Sequence, residues 1–228
     1  MSRYPVKYIA SRIQHTNVSP DATRQDIEKL CNECVEYGFN GVVVNPIWVR
    51  HAAGMLRGSD VKICAAVNFP IGGSSTISKV VEIRDVVACG CDEIDFMINV
   101  GYLKSGMLDE FRRDVEAVVR AADGRVVKAI LETAILTVDE VRLAARICEE
   151  AGVHYIKNSS GWGKGGPATV EIIKLMRSMV SSKVGVKASG GIRDLETAAK
   201  LLEAGADLLG TSRGVQIVKG IDAGEDRY

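Results

Sequence analysis

Short apolar segments that do not alternate with polar residues recur along this chain, and each is followed by a segment of helical periodicity. Gly41-Val-Val-Val44, Val61–Val67, Glu93–Ile98, Val126–Leu131, His154–Asn158, Val184–Ala188 and Ala206–Gly210 read as strands, with Ile9–Gln14 a weaker first. A strand that is apolar on both faces belongs to a sheet covered on both sides. The segments between them carry helix signals. Thr23 begins a helix with Asp26 as its capping-box partner, and Gly38 closes it. Helices follow over Val49–Leu56 and Thr76–Ala88, on a face marked by Phe111, Val115, Val118, Val119 and Ala122, and after Thr137. Further ones run over Thr169–Val180, with Ile172, Met176 and Met179 on one face, after Asp194, and over Val215–Val218. Eight strand–helix units in 228 residues predict an α/β fold, a single (β/α)8 or TIM barrel spanning 1–228. A doubly wound sheet is the competing architecture, but its glycine fingerprint after the first strand is absent.

Bulk properties narrow the function. The net charge is zero and no basic stripe appears, which argues against nucleic acid as a partner. No apolar run approaches the roughly 18 residues of a membrane span, and the first eight residues lack an apolar signal region. The expectation is a cytoplasmic protein with no membrane partner. Cys31 and Cys34 have the spacing of a redox or metal motif. They also fall on a stripe with Ile27, Leu30 and Val35 at helical spacing, so they read as core residues and no metal is expected.

Two segments carry the chemistry: Tyr155-Ile-Lys157-Asn-Ser-Ser-Gly-Trp162 and Gly185-Val-Lys187-Ala-Ser-Gly-Gly-Ile-Arg193. Each places a lysine, a residue that is rarely buried, on an apolar strand. In a barrel the reactive groups lie at the C-terminal ends of strands. The candidates there are Gln14, His15, Asn45, Asn68, Asp95, Asn99, Lys128, Glu132, Lys157, Lys187, Thr211 and Ser212. Asp95 and Lys157 lie on even-numbered strands and can share one interior layer. Lys187 lies on the strand beside Lys157, about 4.8 Å away. Two ammonium groups that close disfavour each other's charge, and one would give up its proton near neutral pH. Such a set suits Schiff-base chemistry on a carbonyl, and a structural ion pair of Asp95 with either lysine is the equal alternative. Lys128 and Glu132 share a strand face and either support the lysines or form a structural pair. His15, His51 and His154 read as structural. Ser189-Gly190-Gly191 and Gly210-Thr-Ser-Arg-Gly214 stand where many barrels hold a phosphate, which favours that role over simple turn chemistry.

Taken together, several stretches resemble the deoxyribose-phosphate aldolase family over nearly the whole chain. They are Asp21-Ala-Thr23, Phe39–Pro46, Asn68-Phe-Pro-Ile-Gly72, Asp92–Asn99, Ile130-Leu-Glu-Thr133, Ile156–Gly161, Val186–Arg193 and Gly210-Thr-Ser212. The resemblance implies a class I aldolase without metal or cofactor, cleaving 2-deoxy-D-ribose 5-phosphate reversibly to acetaldehyde and D-glyceraldehyde 3-phosphate. It implies Lys157 as the Schiff-base lysine, Lys187 as the lysine that lowers its neighbour's pKa, and Asp95 as the proton-relay carboxylate. It also implies that the C3–C4 bond breaks. Gly190, Gly191, Gly210 and Ser212 look like the phosphate cradle, and a homodimer or homotetramer is expected. A related Schiff-base lyase or transferase with another aldehyde or sugar phosphate is the alternative, and a non-catalytic phosphosugar binder is a third reading.

The chain departs from the family pattern in places. Gln14 stands for an aspartate that contacts the substrate side, and an amide cannot serve as a base. Asn158, Ser160, Asn68 and Val43 replace threonine, threonine, glycine and cysteine, and Trp162 and Arg213 stand where smaller or different residues are common. These departures bear on the acceptor aldehyde more than on the Schiff base. Arg213 reads either as an added charge at the phosphate site or as a solvated loop residue.

Overall fold

The computed structural model describes residues 4–221, so the ends of the 1–228 span, including the first three residues of the N-terminal reading, lie outside the described residues. Eight parallel strands close into a barrel in chain order. They are β1 (Ile13–Asn17), β2 (Gly41–Val44), β3 (Lys62–Val67), β4 (Glu93–Met97), β5 (Val126–Ile130), β6 (Tyr155–Lys157), β7 (Gly185–Ser189) and β8 (Leu208–Thr211). The helices are α1 (Val6–Ala10), α2 (Arg24–Tyr37), α3 (Val49–Met55), α4 (Thr76–Ala88), α5 (Val100–Lys104), α6 (Leu108–Ala121), α7 (Val138–Glu150), α8 (Val170–Met179), α9 (Leu195–Glu203) and α10 (Gly214–Lys219).

The expected architecture is the observed one, with local differences that have physical causes. Ile9 belongs to α1 rather than to the first strand, because Pro5 supplies an extended N-cap and the strand begins only at Ile13. Buried Ile9 and Ala10 join the apolar layer under the helices. On α2 the buried stripe is Ile27, Leu30, Cys31 and Cys34, and Val35 faces solvent. On α8 the buried face is Ile173 and Met176, with Ile172 and Met179 at its margin. The Thr23–Asp26 capping box is present, and Thr137 forms a second with Glu140.

Alternate residues of the strands face two different environments. Val42, Val44, Ile63, Ala65, Val67, Ile94, Phe96, Val127, Ala129, Ile156, Val186, Ala188 and Leu209 pack outward against the helices. The barrel interior holds apolar Val43, Cys64, Ala66, Met97, Ile130 and Leu208, together with buried polar groups: Gln14, Asp95, Lys128, Lys157 and Lys187. An interior filled with charge gives up apolar burial, so this barrel leans on its outer layer for stability.

That outer layer contains one buried ion pair. Lys79 on α4 and Asp114 on α6 are both fully buried, 2.6 Å apart, and Thr76 donates to the other carboxylate oxygen at 2.6 Å. Burial pulls the Lys79 ammonium below the usual lysine range, against the pull of Asp114. Removing one member strands the other's charge in an apolar layer. Asp114→Leu is expected to cost about 3–5 kcal/mol, while the Lys79→Met/Asp114→Leu pair recovers most of it; urea denaturation of the three variants checks this.

Candidate active site

Parallel register brings the two lysine segments together. Lys157 on β6 and Lys187 on β7 are direct register partners, and Asp95 on β4 is the partner of Lys128 on β5. All four side chains point into the barrel, where Asp95 is the hub. Its Oδ2 accepts from Lys157 Nζ at 2.9 Å and Lys187 Nζ at 2.7 Å. Its Oδ1 accepts from Lys128 Nζ at 3.0 Å and from the Cys64 thiol at 3.1 Å. Lys128 also pairs with Glu93 at 2.5 Å.

Three ammonium groups face two carboxylates here, so the fully ionised cluster carries excess positive charge in a dry interior. The excess falls on Lys187. Burial pushes its pKa down to about 8, Asp95 counteracts, and the charges of Lys157 and Lys128 push it down further. Asp95 goes the other way: burial works against its charge, but the three lysines together hold its carboxyl well below the usual range. Lys128 is held well above the lysine range, because Asp95 and Glu93 overcome its burial. Burial, then the charge of Asp95, pushes the Cys64 thiol up to about 12, so it stays a neutral donor. Of the two neighbouring lysines expected to disfavour each other's charge, the lowered pKa falls on Lys187, where the resemblance implies its neighbour.

Access separates the lysines. A cavity of about 410 Å³ opens at the C-terminal ends of the strands, and Lys157 is on its wall while Lys187 and Lys128 are not. Lys157 is 4% exposed and Lys187 is 0% exposed. The same cavity is lined by Gly190, Gly191, Gly210 and Ser212, so all of the expected phosphate-cradle residues meet the lysine in one space. Gly190 and Gly191 have φ of 93° and 70°, and a Cβ on Gly190 would lie 2.6 Å from the Gly166 carbonyl oxygen. Gly210 has a different reason: a Cβ there would sit 3.1 Å from Lys187 Cε. Trp162, Arg193 and Arg213 are also on the wall.

Several strand-end candidates lie elsewhere. Gln14 does not face the cavity. It donates to Glu93 at 2.6 Å and to Asn40 at 3.0 Å, and accepts from Lys187 Nζ, closing the network on its N-terminal side. Asn158 locks β6 to β7, donating to the Ser189 carbonyl at 3.1 Å and accepting its N–H at 2.8 Å. Asn68 has φ of 51°, which explains a position where glycine is usual, since asparagine tolerates the left-handed region. Asn45 donates to the Ser19 carbonyl and Asn99 caps α5. Glu132 does not pair with Lys128; it accepts from the Ser160 N–H at 3.0 Å. His154 accepts from the Val127 N–H at 3.1 Å, a structural role as expected. Glu93 was not singled out in the sequence, although Glu93-x-Asp95 has the period of two that puts both on one strand face.

Comparison with known proteins follows the same line. Residues 11–221 match the description "DeoC/LacD family aldolase". The chain belongs to the DeoC/LacD aldolase family. It is 51% identical over 208 residues to a deoxyribose-phosphate aldolase of Brevibacillus brevis, covering 91% of this chain and 94% of that one. It is 46% identical to a deoxyribose-phosphate aldolase of Staphylococcus carnosus over 217 residues, covering 95% and 98%. Among solved structures, a tetrameric deoxyribose phosphate aldolase from Aeropyrum pernix superposes with a TM-score of 0.88 at 31% identity, covering 94% of this chain and 91% of that one.

The charge cluster has a measurable consequence. The folded protein holds the Lys187 proton less tightly, at about 8, than an ordinary lysine at 10.5. The unfolded state thus binds more protons between these values. The contribution of Lys187 to stability is therefore unfavourable below about pH 8 and is relieved as pH rises toward 10.5. Titration of 13C-labelled lysine Cε resonances is expected to show one lysine deprotonating near pH 8, absent in Lys187→Met.

Proposed function

We propose that this DeoC/LacD aldolase cleaves 2-deoxy-D-ribose 5-phosphate reversibly to acetaldehyde and D-glyceraldehyde 3-phosphate, through a Schiff base on Lys157. The observation that carries the reading is the placement of Lys157 on the cavity wall between the Asp95–Lys187 pair and the glycine turns.

In this reading the phosphate rests against the backbone of Gly190, Gly191 and Gly210 and against Ser212. That leaves the sugar's carbonyl carbon at Lys157. Lys187 in its neutral form takes the Lys157 proton across Asp95 Oδ2, which both amines share at 2.9 and 2.7 Å. The freed amine attacks C1, Lys187 returns its proton to the carbinolamine hydroxyl, and loss of that hydroxyl as water gives an iminium. Carbon counting corrects one expectation: the two-carbon product holds C1 and C2, so the bond that breaks is C2–C3 rather than C3–C4. Its electrons flow into the iminium to give an enamine, while Asp95 with a water removes the C3 hydroxyl proton. Reprotonation at C2 and hydrolysis release acetaldehyde and restore the amine. Asp95, a carboxylate both before it takes that proton and after the proton has gone on through the water to C2, stabilises the iminium as it did the ammonium.

Gln14 and Asn158, the departures that bore on the acceptor, are bonded away from the cavity, and this favours the deoxyribose 5-phosphate reading over a different substrate. Six cysteines without disulfides fit a reducing, cytoplasmic compartment. No helix among the described residues is long and apolar enough to cross a membrane. Self-association as a dimer or tetramer belongs to the same proposal, supported by the tetrameric Aeropyrum relative.

Borohydride reduction in the presence of acetaldehyde is expected to leave a two-carbon adduct on the peptide carrying Lys157, identified by mass spectrometry. Folded protein without an adduct would refute the Schiff base. Lys157→Leu is expected to fold and to lose turnover by about 10³-fold or more. Comparison of deoxyribose 5-phosphate with other aldose phosphates then tests the substrate.

A further inference from the structure

His15 and Glu33 lie on the cavity wall beside the expected phosphate turn, outside the lysine cluster. No partner for His15 is evident from residue spacing, but the structure supplies one on each nitrogen. Nε2 is 2.8 Å from Glu33 Oε2, and Nδ1 is 3.3 Å from the Thr211 carbonyl oxygen. A carbonyl oxygen only accepts. Glu33 is an acceptor too, because the His15 hydrogen bond, against partial burial, holds its carboxyl below the usual range. A neutral imidazole has one donor, so satisfying both contacts requires a proton on each nitrogen.

The setting is built for that ring. His15 is 3% exposed. Phe39 meets it edge-on with centroids 5.3 Å apart. Gly214 has no side chain where a Cβ would come within 3.1 Å of Nδ1. Lys29 lies 3.8 Å from the other Glu33 oxygen, on the solvent side.

The Thr211 carbonyl and the Ser212 N–H belong to one peptide group. A cation bonded to the carbonyl draws electron density through the amide and strengthens the N–H end of its dipole. We propose that His15, held between the Glu33 carboxylate and the Thr211 carbonyl, is a positioning residue that polarises the Thr211–Ser212 peptide for a phosphate dianion, and so sets the preference for phosphorylated over unphosphorylated sugar. This rests on the phosphate reading above. His15 acts through the peptide, and Glu33 acts through His15.

The test compares kcat/KM for 2-deoxyribose 5-phosphate and for unphosphorylated 2-deoxyribose in the wild type, His15→Gln and Glu33→Gln. The wild type is expected to prefer the phosphate. Both variants are expected to lower that preference by about fivefold or more, through KM for the phosphorylated sugar. The 15N resonances of the wild-type His15 ring at neutral pH are expected to show both nitrogens protonated, and Glu33→Gln to shift them toward a neutral ring. A folded Glu33→Gln enzyme with an unchanged preference overturns the inference, as does a neutral ring in the wild type. Equal losses on both sugars also overturn it, since they mark a merely structural role. A wild type that does not distinguish the sugars overturns the phosphate reading itself.

Discussion

One carboxylate with four donors organises the interior. Asp95 accepts from three lysines and a thiol, and no apolar residue could replace it without stranding the buried ammonium groups of Lys157 and Lys187. The cluster balances by proton number. With every group ionised, positive charge is in excess, and releasing one proton removes the excess. Burial selects Lys187 for that release, because it is fully enclosed while Lys128 has Glu93 as a second counter-ion. The pair of lysines on β6 and β7 is thus a charge arrangement in which the hidden member is tuned and the accessible member faces the cavity.

Much of this was legible in the sequence, for reasons that differ by element. The uninterrupted apolar runs at β2 and α4's cap-to-glycine span gave their boundaries directly, since Gly41–Val44 and Thr76–Ala88 coincide with the observed elements. Lys157 and Lys187 could be paired because parallel neighbours place equivalent residues side by side. The first strand was misplaced because Ile9 and Ala10 are apolar in a five-residue helix, too short for periodicity to distinguish from a strand. The partners of Lys128 were out of reach for another reason. Residues four positions apart on one chain, Lys128 and Glu132, invite pairing, yet the backbone at Glu132 has φ of 48° and its side chain turns to Ser160 instead.

The departures from the family pattern divide by which way a side chain points, which sequence does not reveal. Gln14 faces the N-terminal side of the network and holds Lys187 and Glu93 through its two amide ends. A carboxylate there would neutralise the excess positive charge and hold the Lys187 proton, so the amide preserves the imbalance that lowers the Lys187 pKa. Asn158 spends both ends of its amide on Ser189. Trp162 and Arg213, by contrast, stand on the cavity wall, where a change of side chain meets the ligand directly.

The register match of Lys157 with Lys187 separates two kinds of evolutionary change. Both lysines are fixed by strand pairing in the barrel wall, whereas Trp162, Gly190 and Ser212 follow the ends of strands. Loop sequence can drift, lengthen or be redesigned without moving the Lys157 amine against Asp95. A barrel built this way can alter what its rim admits while the lysine–carboxylate geometry of the staves beneath stays as it is.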